Sequence, residues 1–155
     1  MHPSKFIAPE AVVTALKARN KKQLLQELSG RAARLTGLPE REIFDVLWQR
    51  ERLGSTGLGQ GVAIPHGKLS GLKQMVGIFA RLPEPIDFDA ADGDKVDIVF
   101  LLLAPEGAGA DHLKALARLS RLLRDAGAVQ KLRASKDAAA LYAVLTEEEK
   151  SSHAA

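Results

Sequence analysis

An α/β fold, a mixed β-sheet flanked by helices on both sides, is the class this sequence predicts, and three observations predict it. Val96 to Leu103 is almost entirely apolar, as expected of a strand covered on both faces. Leu24, Leu25, Leu28, Ala32 and Leu35 recur at spacings of three and four, the pattern of a helix with one buried face. Other strand-like and helix-like segments alternate imperfectly along the chain, which fits a layered sheet and helices.

The elements follow in order. Residues 11–17 have β-branched character and predict an edge strand. Asn20 precedes the first helix, which Gly37 and Pro39 end. Pro39 suits the first turn of a second helix running through Ile43, Phe44, Val46 and Leu47 towards Arg52, with Gly54 closing it. The densest irregular stretch is 54–61. Val62 to Pro65 reads as a short strand leading into His66-Gly67-Lys68. Met75 to Leu82 reads as a strand that Pro83 and Pro85 punctuate, and Ile86 to Asp89 as a short edge strand. Asp92-Gly93-Asp94 is a turn, and Pro105 to Ala110 a loop. Asp111 is the expected N-cap of a helix from His112 to Asp125, with Leu113, Leu116, Leu119, Leu122 and Leu123 on its apolar face. Two short helices follow near 128–134 and 137–145, and 147–155 reads as a solvated tail. The 155 residues suit one domain.

Composition narrows the chemistry. The chain has no cysteine, which excludes disulfides, thiol nucleophiles and Cys-based metal sites. Of four histidines, His2 and His153 lie near the termini, leaving His66 and His112 in the interior. Net charge is +3, with basic flanks around an acidic middle. Residues 54–111 carry 4 basic and 8 acidic side chains, against 10 and 6 before them and 8 and 5 after. No Lys/Arg run interleaved with aromatics is present, so nucleic acid is not an expected partner. The longest apolar run, Ile98 to Ala104, is far short of the ~20 residues of a membrane span. Pro9 and Glu10 interrupt any secretory h-region, so the expected location is the cytoplasm.

Four glycines fall within eight residues at 54–61. Glycine is chosen where backbone needs positive φ or close approach, and clustered N–H groups can cradle an anion. The dinucleotide pattern fails because Val62 stands where the third glycine belongs. The phosphate-loop pattern ending at Gly67-Lys68 fails at Val62 and Leu69. No bound nucleotide or other cofactor is indicated. The remaining reading is a phosphoryl group carried on a side chain. Pro65 fixes the chain before His66, and Gly67 frees it after. A neutral imidazole is a good nucleophile near neutral pH. Ser55, Thr56, Gly57, Gly59, Gly61, Gly67 and Lys68 are candidate donors for the phosphoryl oxygens. His112, at a helix start, is the natural second member, and Arg50 and Arg52, at the end of the helix entering the loop, are further candidates. Taken alone, His112 also reads as a surface or capping residue, and Arg50 and Arg52 as part of a solvated face.

The string from Arg50 to Lys68, R-E-R-L-G-S-T-G-L-G-Q-G-V-A-I-P-H-G-K, closely resembles the signature of the mannitol/fructose-type EIIA domain of the bacterial phosphoenolpyruvate phosphotransferase system. The resemblance also takes in Ile7-Ala8-Pro9-Glu10, Pro85 to Asp89, Val96 to Leu103 and Asp111-His112-Leu113. It implies that His66 accepts a phosphoryl group from the phosphohistidine of a small carrier, HPr or its paralogue NPr. It implies that His112 is the second active-site histidine and that Arg50 is the arginine ahead of the loop. The chain looks most like the nitrogen-regulatory branch, whose members bind target proteins according to phosphorylation state. A sugar-uptake component passing phosphate to a permease EIIB domain is the alternative. A metal-dependent hydrolase is a weaker third reading, because no H-x-H or H-E-x-x-H spacing exists, and no metal is expected.

Overall fold

Six strands form one mixed sheet in the computed structural model, which describes residues 2–147. The elements are β1 (Val12–Val13), α1 (Lys21–Thr36), α2 (Glu40–Arg52), β2 (Gly57–Gly59), β3 (Val62–Ala63), β4 (His66–Leu69), β5 (Val76–Ile86), β6 (Val96–Pro105), α3 (Ala110–Arg124), α4 (Ala126–Ala134) and α5 (Ala138–Leu145). The strand order is β1-β5-β6-β3-β2, and β4 also pairs with β6. β5 runs antiparallel to β6, whereas β3 and β4 run parallel to it.

β6 is the centre of the molecule. Ile98 to Leu103 are all 0% exposed, and consecutive strand residues point to opposite faces. Both faces are therefore covered, as the uninterrupted apolar run requires. β3 and β4 are two pieces of one interrupted strand beside it. Val62 sits opposite Ile98 and His66 opposite Leu102, so the register does not slip across Ile64 and Pro65. Pro65 has no N–H to give, but its carbonyl accepts the Leu102 N–H at 3.0 Å. The strand thus resumes at His66 in a fixed position.

The helices carry local signals in their sequence. Asn20 caps α1 by accepting the Gln23 N–H at 2.8 Å. Gly37 ends it at φ 75, returning its N–H to Ala33. Asp125 and Asp137 cap α4 and α5 in the same way.

Several expectations need correction. The edge strand at 11–17 contracts to Val12–Val13. β5 does not stop at Leu82 but continues through Pro83 and Pro85 to Ile86, and 87–89 lie outside it. The ladder with β6 is irregular between Arg81 and Ile86, so the prolines fall where the pairing is broken and no N–H is demanded. Part of the stretch expected to be irregular, 54–61, is ordered: β2 pairs with β3 in an antiparallel hairpin turning at Gln60 (φ 57) and Gly61 (φ 83), with an irregular register between Gly57 and Gly59. Pro39 is the N-cap of α2 rather than part of its first turn. Asp111 is not the cap of α3. Gly109 occupies that place without a side-chain bond, and Asp111 lies in the first turn. The buried stripe of α3 is His112, Ala115, Leu119 and Leu123, while Leu113 is 68% exposed. A helix with leucine at so many positions offers overlapping stripes, and docking selects the phase. The expected tail at 147–155 lies, from 148 onward, outside the described residues.

Candidate functional site

β4 sets the direction of the site. A Cβ on Gly67 would run into Val46 Cγ1 on α2. Strand side chains alternate, so His66 and Lys68 project to the face opposite that helix. There the first turn of α3 brings in His112. The two imidazoles meet edge to face, centroids 5.7 Å apart at 62°.

His66 is half-buried, and its Nδ1 lies 2.9 Å from the Ile64 carbonyl. A carbonyl oxygen only accepts, so Nδ1 carries the proton and Nε2 keeps the lone pair. Burial lowers the pKa of His66 below 6.5; the Ile64 bond opposes this, Arg50 lowers it further and Glu51 raises it. His112 is 7% exposed because it stands on the buried stripe of α3. Its Nε2 is buried with no hydrogen-bond partner. Burial lowers its pKa too, assisted by His66 and Lys68. Both rings are thus held towards the neutral form. An unpartnered buried nitrogen beside a ring with a free lone pair is a site able to take up an added polar group.

The other candidates divide. Arg50, on the last turn of α2, donates from Nη1 to the Gly54 carbonyl at 2.9 Å and acts on His66 through its charge. Lys68 is exposed, and its charge helps to lower the pKa of His112. The Ser55 hydroxyl donates to the Phe88 carbonyl at 2.9 Å and receives the Gly57 N–H. Thr56 is buried and gives its hydroxyl to Glu51 Oε2. Gly57 packs against Ala90, 3.0 Å from where its Cβ would be. Gly59 and Gly61 serve the hairpin turn, whose tip is tied down by Asp92 accepting the Gln60 N–H and by Arg133 donating to the Gln60 carbonyl. The Gly61 carbonyl meets the N–H groups of Asp97 and Ile98, whereas His66 is opposite Leu102. Four strand residues separate these levels, about 13 Å. The structure therefore does not bring the hairpin turn to the imidazoles.

Sequence reasoning passed over Glu51 and Lys21. Glu51 is 6% exposed and accepts the Thr56 N–H at 3.1 Å, the Thr56 hydroxyl and Lys21 Nζ at 2.9 Å. The signal was available: Ile43, Leu47 and Glu51 repeat every four residues, which puts a carboxylate on the buried stripe of α2. Among the described residues no group of three or more His, Asp or Glu could hold a metal ion, and no helix is long and apolar enough to cross a membrane.

Fold and site together define a mixed α/β domain centred on a pair of neutral histidines, one of them tautomerically fixed. The chain belongs to the family described as phosphoenolpyruvate-dependent sugar phosphotransferase system, EIIA 2, whose profile matches residues 5–148. It is 65% identical over 140 residues to the nitrogen regulatory protein of Bradyrhizobium diazoefficiens, covering 90% of this chain and 92% of that one. It is 37% identical over 147 residues to the nitrogen regulatory protein of Escherichia coli, covering 94% and 90%. The crystal structure of nitrogen regulatory protein IIA-Ntr from Neisseria meningitidis superposes with a TM-score of 0.89 at 38% identity, covering 92% of this chain and 98% of that one.

Proposed function

We propose that this chain is a phosphoryl carrier of a nitrogen-related phosphotransferase system, taking phosphate on His66 and regulating target proteins by its phosphorylation state. The observation that carries the reading is the His66 ring, bound through Nδ1 to Ile64 and set 5.7 Å from His112. The names of the similar proteins support the nitrogen branch over sugar uptake.

The donor is the phosphohistidine of an HPr- or NPr-type carrier. The His66 Nε2 lone pair attacks phosphorus and a new N–P bond forms. The donor's N–P bond breaks, and its electron pair returns to the donor imidazole. Nδ1–H stays on the Ile64 carbonyl, so no base has to deprotonate the nucleophile. His112, as the Nε2–H tautomer, donates to the transferred oxygens and gains the partner its buried nitrogen lacks. Arg50 and Lys68 add positive charge nearby. Ser55 and Thr56 hold the loop, Gly57, Gly59 and Gly61 shape the hairpin, and Gly67 lets β4 lie against α2.

Phosphorylation places roughly −1.5 to −2 charges at one point, by analogy with other phosphorylated side chains. The consequence is an electrostatic change in partner choice without refolding. The carrier and targets are cytoplasmic proteins on this reading. Incubation with phosphoenolpyruvate, enzyme I and the carrier should give an acid-labile phosphohistidine in the wild type and none in His66→Ala. Normal labelling of His66→Ala would sink the assignment.

A further inference from the structure

We infer that Glu51, paired with Lys21, is a positioning residue for phosphoryl transfer: it locks the 53–56 loop, and with it the Arg50 side chain that grips Gly54 ahead of the strand carrying His66. The inference rests on the phosphoryl-carrier reading for its rate prediction but not for its geometry.

Glu51 is a carboxylate in a buried position, and such groups persist where they are paired and fully hydrogen-bonded. Its partners are all in place. Oε1 accepts the Thr56 N–H at 3.1 Å and Lys21 Nζ at 2.9 Å, and Oε2 accepts the Thr56 hydroxyl. Lys21 in turn lies 4.5 Å over the Phe88 ring, and the Phe88 carbonyl accepts from Ser55. One charge pair therefore ties the start of α1, the end of α2, the 53–56 loop and the segment after β5.

Arg50 is the neighbour of Glu51, at the point where α2 ends. Its Nη1 grips the Gly54 carbonyl at 2.9 Å, and the Gly54 N–H returns to the Glu51 carbonyl at 3.1 Å. The place of Gly54 thus decides where the Arg50 guanidinium sits, and Glu51 fixes the far end of that loop through Thr56. The charged and titratable groups acting on the site are Arg50 and Glu51 from α2, Lys68 from β4 and His112 from α3. Arg50 and Glu51 act on His66 in opposite senses, Arg50 lowering its pKa and Glu51 raising it.

The test is Glu51→Gln in the full chain, with two readouts below its melting temperature. Transfer from the phosphorylated carrier should fall roughly ten- to a hundredfold in kcat, with KM unchanged, since misplaced charge and not docking is at fault. The His66 imidazole resonances, followed by NMR without any phosphate donor, should titrate at a higher pH than in wild type, because a displaced Arg50 no longer lowers the ring's pKa, an effect larger than that of the lost carboxylate. A folded Glu51→Gln protein with wild-type kcat, or with a His66 midpoint that is unmoved or lowered, would overturn the inference, because Arg50 would then still be in place. If Glu51→Gln does not fold, Thr56→Val removes only the hydroxyl bond and should lower kcat without raising KM. Wild-type kcat there would overturn the inference equally. Failure of the wild type to accept phosphate would refute the phosphoryl-carrier reading while leaving the NMR titration to decide this one.

Discussion

The edge of one imidazole is set against the face of the other where His66 and His112 meet, 5.7 Å between centroids, and burial lowers the pKa of each. One ring has its proton anchored on a carbonyl, and the other has a buried nitrogen without a partner. On the proposed mechanism, nucleophile and stabiliser are thereby distinguished by their surroundings rather than by residue type. His112→Ala should therefore lower kcat for phosphoryl acceptance by about 10²-fold, the usual cost of one lost charge-stabilising donor. Rapid-quench transfer assays measure this, and an unchanged rate would remove His112 from the chemistry.

The lowered pKa values make a pH prediction. An unfolded histidine takes up its proton near 6.5, whereas folded His66 and His112 do so lower. Between those values the unfolded chain binds more protons, so stability rises with pH across that window. It is fully present above 6.5 and declines as pH falls towards the folded values. Thermal melts from pH 8 to pH 5 should show a falling Tm, and His112→Gln should reduce its slope. The acid limb of the transfer rate should likewise lie below 6.5, because Nε2 stays unprotonated to lower pH.

Gly67 is where β4 closes on α2, and the obstacle to any side chain there is Val46 Cγ1. Gly67→Ala should cost about 1–3 kcal/mol by overpacking. The double variant with Val46→Ala should recover part of that loss in urea unfolding. Additive losses would mean that the contact does not limit the approach.

The hairpin tip gives the converse case. Arg133 holds it by donating to Gln60 and pairing with Asp97 at 2.9 Å, far along the sheet from His66. Arg133→Ala should cost roughly 1 kcal/mol, as expected for a partly exposed pair with an added hydrogen bond, and leave kcat for transfer unchanged. A fall in kcat would show that the hairpin turn reaches the phosphoryl group.

The readable parts of this chain are those where one local pattern has one physical solution. The apolar run of β6 requires a doubly covered strand, and Asn20 and Gly37 bound α1 by capping chemistry. His66 stands out because Pro65 and Gly67 frame it. Other features depend on tertiary registration and were not legible. Whether leucines or His112 face the core in α3 depends on docking phase, and only that phase buries His112. The glycines announce tight backbone but not its purpose. Gly59 and Gly61 answer to a hairpin turn and Gly67 to a helix, needs that the sequence cannot separate from an anion cradle. Glu51 was hidden by its company, since a carboxylate between two arginines reads as surface until its place on the Ile43–Leu47 stripe is noticed.

The central claim is that His66 Nε2 carries the phosphoryl group while Nδ1 keeps its proton on Ile64. Its most direct test is long-range 1H–15N NMR of the 15N-labelled protein after phosphorylation by the carrier. The account predicts a phosphorylated Nε2 and a protonated Nδ1 on His66, with His112 unmodified. Phosphate on Nδ1 of His66, or on His112, would contradict it.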